Sequence, residues 1–141
     1  MRYVLDNSVL MAAYFPDEVN KPHALELLRA FSEGEVHLLA PHLLLAEAHH
    51  AVLKAVRGKR VTLEQGRAIV AALLDLGIPL STVHDGVFEL AFQYGCSGYD
   101  ATYLRLAQHE GIPLLTADQR LVYQMRRGEI QVIELNRWKQ G

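Results

Sequence analysis

Cys96 is the only cysteine in 141 residues, so no disulfide framework can hold this chain together. That suits a reducing compartment, and cytoplasmic residence is the expectation. No run approaches the roughly 20 uninterrupted apolar residues of a membrane span. The N-terminal MRYVLDNS also lacks the apolar stretch of a secretory signal, so no membrane partner is expected. No internal repeat, low-complexity tract or linker divides the sequence, and one domain over 1–141 is expected. Neither a Walker A sequence nor a G-x-G-x-x-G is present, which removes support for nucleotide-cofactor chemistry. Seven histidines occur, but none has the H-E-x-x-H spacing of a zinc site, and they read as surface or packing residues.

The composition is that of a folded globular protein, half hydrophobic and 21% charged, with a net charge of −2. The chain is long enough to bury a real core. Short apolar strands alternate with helices. RYVL (2–5) reads as a strand, followed by a helical turn ending near Pro16. Residues 22–34 carry Ala24, Leu27, Leu28 and Phe31 at helical spacing, with Gly34 as the stop. VHLLA (36–40) is a second strand, and Pro41 fits the first turn of a helix running to about Arg57, stopped by Gly58. TLEQ (62–65) is a capping-box signature for a helix reaching Gly77. PLSTV (79–83) is a third strand, Asp85 is placed to cap a helix to Gly95, and residues 97–111 form another helix. IPLLT (112–116), a helix from about Gln119 to Arg127 and IQVIEL (130–135) complete the pattern. Strands separated by such helices predict an α/β fold of three layers, α/β/α, with a central mostly parallel sheet. In such sheets ligands bind beyond the carboxyl ends of the strands, where Asp6 and Asp118 fall.

Four acidic residues stand out, and each has a plain structural explanation beside the functional one. Asp6 and Asp118 can cap the helices that follow them, and Asp100, three residues after Ser97, can complete a capping box. Glu47, in HLLLAEAHHAVL, has Leu43, Leu44 and Ala51 as same-side neighbours; it either reaches water, or pairs with His50 or Lys54, or lies against an apolar face and needs a partner. Taken together, the four can converge on one pocket. Two unit charges about 5 Å apart cost roughly 3 kcal/mol even at an effective dielectric near 20, so such a cluster binds protons or a cation. All-oxygen ligation selects Mg²⁺ or Mn²⁺ over zinc. Asn7, Ser8 and Thr116 can orient a carboxylate or a bound water. A metal so held suits phosphoester chemistry without a serine or cysteine nucleophile.

Lys54, Arg57, Lys59, Arg60 and Arg67 lie within fourteen positions. They read either as a solvated helix-loop-helix edge or as a groove wall for nucleic-acid phosphates. Setting aside the four site carboxylates, the rest of the chain is +2 (−2 plus 4), so the overall acidity does not exclude such a partner. Tyr99 beside Asp100 can stack on a base or pack in a helix. Tyr14 and Phe15 can belong to a dimer face or to the core.

These segments resemble the PIN-domain ribonucleases, and among them the compact toxins of VapC type. The likeness runs from YVLDNSVL through PHLLLAEAHHAV to GYDATYLRLAQHEGIPLLTADQRL, essentially the whole chain. The last segment is the most specific, since Asp100, Thr116 and Asp118 follow the family's order and spacing. By this resemblance Asp6, Glu47, Asp100 and Asp118 match the acidic quartet that binds Mg²⁺ or Mn²⁺, and Ser8 and Thr116 match the hydroxyl positions beside it. Asn7 stands where many members have Thr. The resemblance implies an endoribonuclease acting on RNA, a homodimer, and a cognate antitoxin. Two alternatives belong to other classes: a non-catalytic module binding RNA or a partner protein, and a haloacid-dehalogenase-type phosphatase. The phosphatase needs a second Asp two residues after the first, where this chain has Ser8.

Overall fold

The structure is a computed structural model and describes residues 1–138; the last three residues of the expected 1–141 domain lie outside the described part. Among the described residues five strands form one sheet in which every pairing is parallel: β1 (Arg2–Leu5), β2 (His37–Pro41), β3 (Leu80–Ser81), β4 (Leu114–Thr116) and β5 (Val132–Glu134), in the order β3-β2-β1-β4-β5. Seven helices connect them: α1 (Asn7–Tyr14), α2 (Lys21–Ser32), α3 (Leu43–Arg57), α4 (Leu63–Asp75), α5 (Val87–Tyr94), α6 (Gly98–Glu110) and α7 (Gln119–Gln124), and a 3₁₀ turn closes at Leu135–Arg137. The α/β architecture expected from the alternation is the one observed.

Burial explains why the strands lack a polar face. Val4, Leu5, Leu114 and Leu115 are wholly out of water, as strands covered on both sides must be. The first connections run from β1 out to β2 and β3, and β4 then returns to the opposite side of β1. The order therefore reverses between β1 and β4, the crevice where a ligand finds exposed strand ends. Val4 pairs with Leu114 and Leu5 with Leu115, so Asp6 and Thr116 leave the sheet side by side.

Several boundaries differ from expectation. Pro41 is the last residue of β2, paired with Ser81, rather than part of the next helix; with no N–H to give the ladder, a strand end suits it. The third strand shrinks from 79–83 to two residues, and the last helix stops at Gln124. Asp85 does not cap α5. Gly86, with φ of 78°, is the N-cap, while Asp85 accepts from Arg105 through both its carbonyl and its carboxylate. Gly58 follows α3 with an ordinary φ of −83°, and the left-handed step falls on Lys59 at 59°. Phe15, a candidate for a dimer face, is buried and lies under the Arg60 guanidinium, 4.3 Å from it. The capping box at Thr62 and Gln65 is present in both directions.

Candidate active site

Asp6 occupies the N-cap position of α1 yet makes no capping bond. Its Oδ2 instead accepts from Ser8 Oγ at 2.6 Å and from Thr116 Oγ1 at 2.8 Å. Ser8 is two residues along the same chain, whereas Thr116 arrives from the end of β4. The same two hydroxyls stitch the neighbouring backbone: Ser8 Oγ accepts from the Ala117 amide at 2.9 Å and Thr116 Oγ1 from the Asp118 amide at 3.0 Å. Thr116, with no exposed surface, is the one polar residue among the described residues that lies fully in the core. Two hydrogen-bonded hydroxyls therefore hold a carboxylate rigidly inside an apolar sheet end.

Asp118 divides its oxygens. Oδ1 caps α7, accepting from the Arg120 amide at 3.0 Å and the Leu121 amide at 3.4 Å, so the capping explanation holds for that atom. Oδ2 accepts from Arg120 Nη2 at 3.2 Å. Asp100 sits in the first turn of α6, where Ser97 Oγ accepts from its amide. Its side chain does not turn back to complete the box but accepts from Arg120 Nη2 at 3.0 Å. Glu47, on α3, pairs with neither His50 nor Lys54 among the described contacts; its Oε1 is buried without a hydrogen-bond partner. The Tyr103 hydroxyl lies beside it, also buried and also without a closed hydrogen bond, and Asn7 Oδ1 is likewise buried without a partner.

The charges of these groups interact. Burial pushes the Asp6 carboxyl above its ordinary value, against the pull of the Ser8 and Thr116 hydroxyls, and the charges of Asp100 and Asp118 push the same way as burial. Glu47 is likewise raised, first by burial and then by Asp6 and Asp100, with Tyr103 opposing. Burial, followed by the Glu47 charge, raises the Tyr103 phenol. Asp6 thus lies within electrostatic reach of Asp100 and Asp118, and Glu47 within reach of Asp6 and Asp100. Their contacts differ, however. Among the described residues no three Asp, Glu, His or Cys side chains are gathered closely enough to enclose an ion as they stand. The donor set still fits a hard divalent cation: the groups are oxygen donors, Arg120 pairs with Asp100 and Asp118 but no described ion pair reaches Asp6 or Glu47, and Glu47 Oε1 and Asn7 Oδ1 are buried without a hydrogen-bond partner.

A cleft of about 590 Å³ opens from Ser8 and Ala117 and runs past Lys54 to Arg60. Arg57 and Lys59 do not line it. Arg60 is engaged by Asp17 and Glu18 at 2.6 and 2.8 Å, and Arg67 by Glu64 at 2.6 Å. The sequence motifs do not mark Arg120, nor do they tie Tyr103 to Glu47. Spacing could have flagged both: Tyr103 is one turn from Asp100 on α6, and an arginine in the first turn of a helix opposes the dipole and implies an acidic partner.

Ribonuclease VapC1 from Mycobacterium tuberculosis is 40% identical over 87 residues, 58% of this chain and 63% of that protein. The chain therefore spans less than two thirds of the curated relative it matches. Among solved structures, PAE2754 from Pyrobaculum aerophilum superposes with a TM-score of 0.68 at 24% identity, covering 96% of this chain and 93% of that one. VapBC2 from Rickettsia felis, solved bound to a DNA fragment from their promoter, gives 0.63 at 18% identity over 99% and 100%. At these identities the likeness is one of fold. The PIN-domain family model matches residues 3–127, from the first strand past the last carboxylate of the cleft, and the chain belongs to the PIN-domain family.

Proposed function

We propose that the chain, as one domain over 1–141, is a Mg²⁺- or Mn²⁺-dependent endoribonuclease that hydrolyses RNA phosphodiester bonds, the toxin of a VapBC-type toxin–antitoxin pair. The observation that carries this reading is the Asp6 carboxylate, held by Ser8 and Thr116 at the β1/β4 crevice within the field of Glu47, Asp100 and Asp118. These four carboxylates would hold the cation. When bound, it supplies the positive charge that polarises a phosphoryl group and acidifies water. Ser8 and Thr116 keep Asp6 oriented, so little reorganisation is needed when substrate arrives. Asp118 is fixed through Oδ1 by two amides, and its Oδ2 accepts from Arg120. Glu47 keeps one oxygen unpartnered. Lys54 and Arg60 line the adjoining cleft for phosphates, with Arg57 and Lys59 outside it, and Tyr99, well exposed beside Asp100, offers a ring for base stacking.

Similarity to a protein named Ribonuclease VapC1 supports the substrate class and the toxin role, and with them an antitoxin partner and a cytoplasmic setting. Among the described residues no helix is long and apolar enough to cross a membrane. A homodimer is part of the reading: Phe88 and Phe92 on α5 are 78% and 83% exposed and give an apolar face for a second copy to cover. The test is cleavage of diverse RNAs by the purified chain with Mg²⁺ or Mn²⁺. Cleavage should require the metal and fall at least about a hundredfold in Asp100→Asn; intact RNA under both metals would falsify the proposal.

A second reading, a non-catalytic RNA- or protein-binding module, draws on the carboxylates not being gathered into a ready ligand set. Calorimetry with Mn²⁺ separates the two, since only the nuclease requires saturable binding.

A further inference from the structure

We propose that Arg120 is an internal cation that holds Asp100 and Asp118 until a divalent ion displaces it, so that the protein carries its own competitor for the metal. This rests on the metal-dependent reading above. One nitrogen, Nη2, donates to Oδ2 of both carboxylates, at 3.0 and 3.2 Å. The choice of atom on Asp118 matters. Its Oδ1 is already taken by two backbone amides, so Oδ2 is the oxygen left for an incoming cation, and Arg120 holds that same atom. A divalent ion drawn to this pair would meet a guanidinium at hydrogen-bond distance, and two positive charges so close repel.

The guanidinium is also supported from behind. Arg120 Nη1 donates to Gln124 Oε1 at 3.0 Å, and Gln124 Nε2 donates to the carbonyls of Tyr94 and Gly95 at 3.0 and 2.7 Å. Those carbonyls close the C-terminal end of α5, the partly negative end of its dipole. A relay one turn of α7 long therefore aims Arg120 at the acidic pair. Its side chain is 62% exposed, so it can swing into solvent without disturbing the core. Displacement would also account for the lack of a closed ligand set among the described residues, because two of the four carboxylates are turned to the arginine. Once released, the guanidinium stands at the cleft rim, where its planar fork suits a phosphate.

The experiment is Mn²⁺ titration by calorimetry, without RNA, of the whole chain and of Arg120→Ala and Arg120→Lys, with Mg²⁺ titrations followed by the side-chain ¹⁵N signals of Arg120. Arg120→Ala should bind Mn²⁺ about three- to tenfold tighter, the range expected from removing one or two exposed ion pairs. Arg120→Lys, which keeps the charge but not the fork, should fall between. The Arg120 signals should change from restrained to freely rotating as Mg²⁺ saturates. Unchanged or weaker Mn²⁺ binding in Arg120→Ala, or Arg120 signals indifferent to Mg²⁺, overturns the inference and leaves the metal-dependent nuclease standing. If none of the three proteins binds Mn²⁺, the nuclease reading falls and this inference with it.

Discussion

Arg29 and Arg120 each gather carboxylates, under opposite conditions. Arg29 sits near the end of α2 with Glu26, Glu33 and Glu35, all within six residues and all in solvent. Helical spacing alone brings Glu26 and Glu33 to it. The candidate site acids come from the end of β1, from α3, from α6 and from the second residue after β4, so only folding brings them near one another. Water and a neighbouring guanidinium satisfy the first group. Burial, together with mutual repulsion, pushes Asp6 and Glu47 up in the second, whereas Arg29 pulls Glu26 down in the first. A surface cluster is thus electrostatically relaxed; the cleft keeps an unmet demand for positive charge, which is what a cation site requires.

Removing the Thr116 hydroxyl should separate the two regions most sharply. Thr116→Val keeps the shape but leaves Asp6 Oδ2 with one donor and the Asp118 amide with none. Chemical denaturation should show a loss of about 2–4 kcal/mol, as for buried groups left unpaired. RNA cleavage should fall by at least about tenfold as Asp6 loses its orientation, and Thr116→Ser should recover most of both. Full activity in Thr116→Val would mean the hydroxyl does not organise the site.

The next effect concerns pH. Folded-state values above 3.8 for Asp6 and 4.5 for Glu47 mean that folding favours their protonated forms. Their contribution to stability is complete below those ordinary values and is lost as pH rises through the raised ones. A cation should offset that loss only where the groups ionise. Melting with Mn²⁺ against chelator should therefore show a gain near pH 7 of about 3 kcal/mol at a hundredfold excess over Kd. For a domain of this size that is on the order of 5–10 °C. Near pH 4 the gain should vanish; equal shifts at both pH values would detach the metal from these carboxylates.

Smaller still is the expected effect at the cleft wall. Lys54→Ala should leave melting unchanged and reduce the salt dependence of RNA binding by about one unit of slope, the mark of one lost phosphate contact. Least of all is expected from Arg29→Ala. Its cluster is in solvent, so neither cleavage nor the melting midpoint should move measurably, and a clear loss of activity would contradict the contrast drawn between the two arginines.

Part of the cleft could be read in advance because its residues follow strand ends. Asp6 after RYVL and Asp118 after IPLLT are positioned by hydrophobic runs that had to be buried, and a parallel sheet puts those ends together. Glu47 was marked by its apolar neighbours. Boundaries were less legible where two devices compete, as at Pro41, which suits a helix start as well as a strand end, and at Asp85, whose partner Arg105 lies 20 residues away. Arg120 is legible only in part: its place in the first turn of a helix implies an acidic partner, but no local pattern names Asp100 as that partner.

Alternation of apolar strands and amphipathic helices by itself determined the layered fold, and the acidic residues at strand ends determined that a ligand crevice would be negative. Local propensity and burial suffice for that, since each segment needs only a covered face. Only the tertiary structure decided which carboxylate oxygens are spoken for. Asp6 was freed from capping by hydroxyls 2 and 110 positions away, and Asp118 was split between helix amides and a guanidinium. Hydrogen bonds choose individual atoms by direction and distance, and those exist once the strands have paired.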